Sequence, residues 1–313
     1  MKLDHASALT YAVRGDDWSG WVGREIIVEA PYPVEAGRVA DFCALVGDAN
    51  PYYWDPEIAT ARYGGPVAPP GTLMAWRFPA TWNPAGPPAH GPLLALEVPL
   101  PVDDLINVTT ETTFHAPIRV GSRLTYRERV LSISDEKRTG LGPGYFVTTE
   151  FETLDDSGTK VATNRNVMLR FRAEQRSEAG AAAGPAPMEG AHLPELAIPV
   201  TATLCTLNVV ATKDFFPGHH DGAHARSQGI PDAYPNTLYY QGLVDRVALE
   251  WAGYEATVVS RTLTMASPAP IGQTLRTRGK QTARDGDTAE LSIEVVTDSA
   301  LIVRSEVTVA GIR

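Results

Sequence analysis

Cysteine is nearly absent: Cys43 and Cys205 are the only two in 313 residues. Two thiols cannot build a disulfide framework or a four-thiolate zinc site, and a reduced cytoplasm is the economical setting for them. Long apolar runs are missing as well. The most apolar stretch, residues 93–102, is broken by Glu97, whereas a spanning helix needs about 20 largely apolar residues. No membrane partner is expected. The opening residues, MKLDHASALTYAVRGDDW, hold no apolar core followed by a small-residue cleavage site, so an unexported, cytoplasmic protein is expected. Positive charge is scarce too. Lys and Arg number 27 against 37 Asp and Glu, a net charge of −10. That balance argues against a nucleic-acid or anionic-membrane surface, both of which need clustered positive charge.

What is present suits a folded, water-soluble protein, with 43% hydrophobic and 20% charged residues. The 27 glycines and 25 prolines favour turns and short strands over a helical bundle. The length accommodates two domains at roughly 100–200 residues each. Residues 176–195, RSEAGAAAGPAPMEGAHLPE, are rich in Ala, Gly, Pro and Ser without apolar periodicity, and read as a flexible linker. The expected division is therefore 1–175, a linker over 176–195, and 196–313.

The two flanks resemble each other. Residues 114–124 read FHAPIRVGSRL and residues 265–275 read MASPAPIGQTL, so that Pro117 matches Pro268, Val120 Ile271, Gly121 Gly272 and Leu124 Leu275. Alternating, β-branched stretches follow each, with DDSG and DGD as turns. Upstream, Tyr239, Leu243, Val247 and Trp251 fall on one helical face, and Gly253 stands where the helix should end. Residues 72–82 (TLMAWRFPATW) take the corresponding place in the first half. The stretch 34–46 looks helical, whereas VTATLCTLNVVAT, before Asp214, alternates like a strand. The class expected is α+β: two antiparallel sheets, each wrapped around a long central helix, placed so that the sheets can pair.

Three of the seven histidines, His219, His220 and His224, lie in KDFFPGHHDGAH. The first half carries the same frame as GDANPYYWDPEIA. Asp48 matches Asp214, Pro51 Pro217, Tyr53 His219, Asp55 Asp221 and Ala59 Ala225. The acidic residue occurs twice and the histidine five positions later once.

Gly47, Asp48, Asn50, Pro51 and Ala59, with Asp214, Pro217, His219 and Ala225, make both frames resemble the signature of the MaoC-like hydratases and dehydratases. Tyr53 departs from that signature in the first half and Phe216, at the asparagine position, in the second. The second half is further similar to the catalytic subunit of steroid side-chain-degrading enoyl-CoA hydratases, and the first to their degenerate partner. The resemblance implies a double hotdog fold acting on a bulky acyl-CoA. Asp214 and His219 would be the catalytic pair, with the degenerate half leaving room for fused rings. No cofactor is implied, since coenzyme A belongs to the substrate. A homodimer is expected, and an aldolase partner is left open.

Hydrating an α,β-unsaturated thioester requires a water deprotonated as it attacks Cβ and a proton delivered to Cα. A carboxylate and an imidazole holding one water serve both steps. The enolate oxygen needs fixed donors, such as a helix N-terminus, and Gly242 is the backbone donor expected. Tyr53 reads either as a filler or as lining the acyl tunnel, and Arg226 and Arg246 either as meeting phosphates or as solvated surface charges. Taken singly, Asp214 also reads as a cap and His219 as a surface histidine. Asp48, without a histidine partner, reads as structural. The i, i+4 spacing of His220 and His224 matches a helical zinc motif, but Gly222 interrupts it and no third ligand is identifiable, so no metal is expected. Two other functions compete: a thioesterase, which would need a group facing the thioester carbonyl, and a non-catalytic acyl-CoA-binding subunit.

Overall fold

A computed structural model describes residues 18–173 and 184–312. The first half runs β1 (Glu25–Glu29), α1 (Ala36–Val46), α2 (Pro51–Trp54), α3 (Pro56–Tyr63) and β2 (Val67–Ala68). A 3-10 helix (Pro70–Arg77), the short α4 (Leu94–Glu97), β3 (Asp104–Phe114) and β4 (Ile118–Arg119) follow. It closes with β5 (Thr125–Ile133), β6 (Lys137–Thr139), β7 (Gly142–Leu154) and β8 (Lys160–Phe171). The second half runs β9 (Ala197–Pro199), α5 (Ala202–Thr212), α6 (Gly222–Ser227) and α7 (Thr237–Ala252). Its remaining strands are β10 (Thr257–Met265), β11 (Thr274–Asp285), β12 (Thr288–Val296) and β13 (Leu301–Ala310).

One antiparallel sheet joins the halves, in the order β1-β5-β7-β8-β3-β10-β13-β12-β11-β9. The junction is β3 against β10, with Arg261 opposite Thr112 and Leu263 opposite Thr110. The side-by-side pairing expected from the repeat is what forms. In the second half the sheet curls round α7, whose Tyr240, Leu243, Val244 and Val247 are fully buried with Leu263, Leu291, Ile293 and Val309.

Two helix expectations need correction. Residues 72–82 do not form a long helix; the segment is a 3-10 helix ending at Arg77. Pro79 explains the stop, because a residue before proline is driven out of the helical region, and Phe78 is extended at φ −59°, ψ 131°. Prolines 84, 87, 88 and 92 then keep the chain irregular up to α4. The buried Arg77 guanidinium pairs with Glu128, which also accepts from the Leu94 amide at 2.9 Å, and this fixes both ends of that irregular stretch. Burial raises the Glu128 carboxyl to about 7 against the opposing charge of Arg77.

The second correction concerns residues 202–212, which are α5 and not a strand. Thr201 caps it, accepting from the Leu204 amide at 3.1 Å. Its buried residues Cys205, Asn208, Val209 and Thr212 make an i, i+3, i+4, i+7 stripe, which the local alternation conceals. α5 packs beside α1, where Arg38 reaches the Ala211 carbonyl (3.4 Å) and the Ala75 carbonyl (2.8 Å).

Part of the expected linker lies outside the described residues. From 184 it has neither helix nor strand, and the amides of His192 and Leu193 donate to the Gly279 carbonyl at 2.9 and 3.1 Å. Among the described residues no helix is long and apolar enough to cross a membrane.

Candidate active site

The repeated frame is a repeat of structure. Shifting by 166 positions, from Asp48 to Asp214, superposes α1 (Ala36–Val46) on α5 (Ala202–Thr212) without a gap. The same shift takes Asp55 to Asp221, and both are helix caps. Asp55 accepts from the amides of Glu57 and Ile58, Asp221 from those of Ala223 and His224. It takes Gly47 to Lys213, each closing its helix in the left-handed region, at φ 67° and 59°. Lys213 is the only non-glycine with positive φ among the described residues.

Lys213 turns the chain so that Asp214 and His219 meet. His219 Nε2 lies 3.4 Å from Asp214 Oδ2, with side chains 10% and 16% exposed. His219 Nδ1 is 2.9 Å from the Tyr234 carbonyl. A carbonyl only accepts, so Nδ1 carries a hydrogen, and in the protonated ring Nε2 donates to the carboxylate. Phe216 and Tyr234 stand edge-on to the imidazole, at 5.4 and 5.2 Å between ring centres. Burial pushes the Asp214 carboxyl up, but the His219 charge and hydrogen bonds from His219, the Phe216 amide and Asn236 outweigh it. The carboxyl is held below its ordinary range and stays ionised at neutral pH.

Sequence reasoning missed Asn236. Its Nδ2 donates to Asp214 Oδ2 (3.2 Å) and Thr212 Oγ1 (2.9 Å), while its Oδ1 accepts from the Tyr239 amide (3.1 Å) and caps α7. One buried side chain therefore ties the carboxylate to the N-terminus of the central helix. The signal was there: asparagine after Pro235 and before an apolar run is an N-cap pattern. Starting the helix at Tyr239 hid it.

This also corrects Gly242. It is the sixth residue of α7, inside the helical ladder, where its N–H is already used. Its missing side chain serves packing, since a Cβ would lie 2.6 Å from Phe42 ring carbons. The 3-10 helix crosses at the same point, where a Cβ on Gly71 would come 2.7 Å from the Gly242 backbone. The amides not committed within α7 are those of its first turn, Thr237 and Leu238.

Arg246 is corrected as well. Its Nη1 donates to the Val46 carbonyl and its Nε to Glu250, both at 2.7 Å, so it closes α1 rather than facing solvent phosphate. Arg226 is exposed on α6, after the dyad loop. Tyr53 is half-buried in the first half, and burial followed by the charges of Asp48 and Asp245 raises its hydroxyl well above its ordinary value. Asp48 accepts from the Asn50 amide at 2.9 Å. Burial lifts its carboxyl to about 6 despite the Asn50 amide and Arg246, with Glu250 and Asp245 adding to the rise. An open cleft of about 420 Å³ lies over this loop, lined by Cys43, Gly47, Asp48, Trp54 and Ile58 among others. His220 precedes α6, with Nε2 3.3 Å from the Phe215 carbonyl, while His224 lies on α6 against the Phe216 ring. The two do not share a helix.

Residues 20–164 match a family described as FAS1-like, dehydratase domain region. Over 176 residues, 52% of this chain, the sequence is 35% identical to a probable enoyl-CoA hydratase alpha subunit of Thermomonospora curvata, of which it spans 55%. Over 94 residues it is 37% identical to the beta subunit of the 3-oxo-4,17-pregnadiene-20-carboxyl-CoA hydratase of Mycobacterium tuberculosis. That match covers 30% of this chain and 73% of that subunit. Among solved structures, a MaoC-like dehydratase superposes with a TM-score of 0.72 at 18% identity, over 94% of this chain and 99% of its own. At that identity the likeness is one of fold.

Proposed function

The chain belongs to the MaoC-like hydratase and dehydratase family, with its double hotdog fold, and we propose that it catalyses the reversible addition of water to a 2-enoyl-CoA. The observation that carries this is Asp214 and His219, 3.4 Å apart at the N-terminus of α7. An ionised Asp214 and the adjacent His219 imidazole face one water. The pair takes its proton as oxygen attacks Cβ and returns a proton to Cα. In the dehydration direction the same groups act in reverse. The free amides at the start of α7, Thr237 first, stabilise the enolate oxygen, in place of Gly242. Arg226 is the cation we assign to the phosphates.

The acyl group is bulky, and the first half makes room for it. Where the second half has the 16-residue α7, the first has an eight-residue 3-10 helix and a proline-rich irregular stretch. The chain spans about half the length of the Thermomonospora relative. Its assembly, as a homodimer or with a further partner, is part of the proposal. Cys43 and Cys205 are unpaired and buried, which supports a cytoplasmic setting.

The test follows the conjugated thioester absorbance of an enoyl-CoA. Its loss without thiol release means hydration, whereas thiol release means a thioesterase. Asp214→Asn and His219→Ala should each lower the rate roughly 10²–10⁴-fold, and the double variant should be little worse than the weaker single. For the acyl group, kcat/KM on a polycyclic enoyl-CoA should exceed that on crotonyl-CoA at least about tenfold. A preference for crotonyl-CoA removes the bulky substrate and leaves the hydratase.

A further inference from the structure

Buried side chains of α5 and α7 carry polar atoms for which hydration has no use. Asn208 is fully buried, and neither its Nδ2 nor its Oδ1 has a hydrogen-bond partner. Among the described residues no other side chain leaves two buried polar atoms unpaired. The hydroxyls of Tyr239 and Tyr240, at the start of α7, are also buried and unpartnered, with their rings 5.1 Å apart. Folded proteins leave few such groups unsatisfied, and each calls for a reason.

Cys205, Tyr239 and Tyr240 pack in one buried cluster. Cys205 and Asn208 are a turn apart on α5, and the Cys205 thiol is among the charges that, after burial, raise both tyrosine hydroxyls. Tyr240 also feels Tyr234, whose carbonyl holds His219. Thr212, one turn beyond Asn208, donates to the Asn208 carbonyl at 2.6 Å and accepts from Asn236, which holds Asp214. Asn208 therefore stands about one helical pitch, roughly 5.4 Å, along α5 from the residues that fix the dyad.

The repeat marks what is unusual. Shifted by 166 positions, Asn208 corresponds to Phe42, whose ring fills the contact with Gly242. One half closes this position with an aromatic ring. The catalytic half places an amide there and satisfies neither end of it.

We propose that Asn208, with the Tyr239 and Tyr240 hydroxyls, forms a polar subsite beside the dyad. It accepts an oxygen function, keto or hydroxyl, carried on the acyl chain a few carbons beyond the double bond. This rests on the hydratase reading and narrows its substrate class. The amide N–H₂ and the tyrosine hydroxyls donate to a keto oxygen, and the amide oxygen accepts from a hydroxyl. A purely hydrocarbon acyl chain leaves all of them buried and unpaired, and sites built to hydrogen-bond a substrate discriminate strongly against analogues that cannot.

The experiment compares 2-octenoyl-CoA with its 7-oxo derivative, whose oxygen lies four carbons past the double bond. In parallel it measures binding of the two saturated thioesters, octanoyl-CoA and 7-oxooctanoyl-CoA. The wild type should favour the oxo compound at least about tenfold in both kcat/KM and affinity. In Asn208→Leu, of similar volume, both ratios should collapse to within about twofold. Should that variant fail to fold, Tyr240→Phe, which removes one oxygen, should reduce the ratios at least about threefold. A wild-type ratio near one, or a ratio that survives in the folded variants, overturns the subsite. Tight oxo-selective binding of the saturated pair with no hydration of either enoyl thioester sinks the hydratase and keeps the subsite. Hydration of both without selectivity does the reverse.

Discussion

Removing the Asn236 side chain tests the coupling of dyad and helix. The residue is 3% exposed and makes three hydrogen bonds, to Asp214, Thr212 and the Tyr239 amide. Losing an N-cap costs about 0.5–2 kcal/mol, and a hydrogen bond to a charged group about 1.5–3 kcal/mol. Asn236→Ala should therefore lose about 2–4 kcal/mol, several degrees in Tm. Because Asn236 helps hold the Asp214 carboxyl below its ordinary range, its removal raises that pKa. A depressed carboxyl contributes stability above its unfolded pKa of about 3.9 and loses it as pH falls through the folded value. The stability deficit should be full at neutral pH and shrink in acid, while the acid limb of kcat/KM moves to higher pH. Asn236→Ser separates the two roles. Serine caps a helix well but is too short to reach Asp214. It should keep most of the Tm, shift the acid limb and lower kcat/KM about 10–100-fold. A serine variant with a wild-type pH profile and turnover would refute the claim that Asn236 acts through Asp214.

Asp48→Asn keeps the acceptor for the Asn50 amide while removing a charge that burial disfavours, so it should raise Tm. The gain should be absent below about pH 4, grow between about pH 4 and 6 and be full at neutral pH, with turnover within about threefold; a loss equal to that of Asp214→Asn would show that the active half is assigned wrongly. Lys213→Gly relieves a left-handed residue and should leave turnover unchanged while stabilising by up to about 1 kcal/mol, since the left-handed cost of about 1–2 kcal/mol exceeds the entropy of glycine; a lower melting temperature would refute that account.

The frame from Asp48 to Ala59 and its echo from Asp214 to Ala225 were legible because capping aspartates, a proline at the first helical turn and a histidine at fixed spacing are local features. The two paired sheets were legible through their alternating strands and matched turns. What escaped depends on longer-range physics. Residues 202–212 alternate locally like a strand, and only packing beside α1 exposes their helical stripe. Pro79 lay in plain view, but the run from Thr72 to Trp76 is apolar enough to look like a helix until that proline is weighed. Gly242 drew attention as a glycine near a helix start; the ring of Phe42, 200 residues earlier in the chain, accounts for it. Asn236 and Tyr234 touch the dyad from across a loop, and no spacing rule links them to Asp214.

The same frame yields opposite carboxyls, and the neighbours account for it. Asp48 and Asp214 close equivalent helices and each accepts the amide two residues on. At Asp214 the position five residues later is an imidazole, and Asn236 approaches from the start of α7, so that donors surround the carboxylate and hold its pKa down. At Asp48 that position is Tyr53, and the middle of α7 approaches instead, with Asp245 and Glu250 opposing Arg246, so burial wins and the pKa rises. The long helix thus gives its capped end to one half and its side to the other. The carboxylate is held ionised only where the end points, and the half that meets the side has its own helix stopped at Arg77.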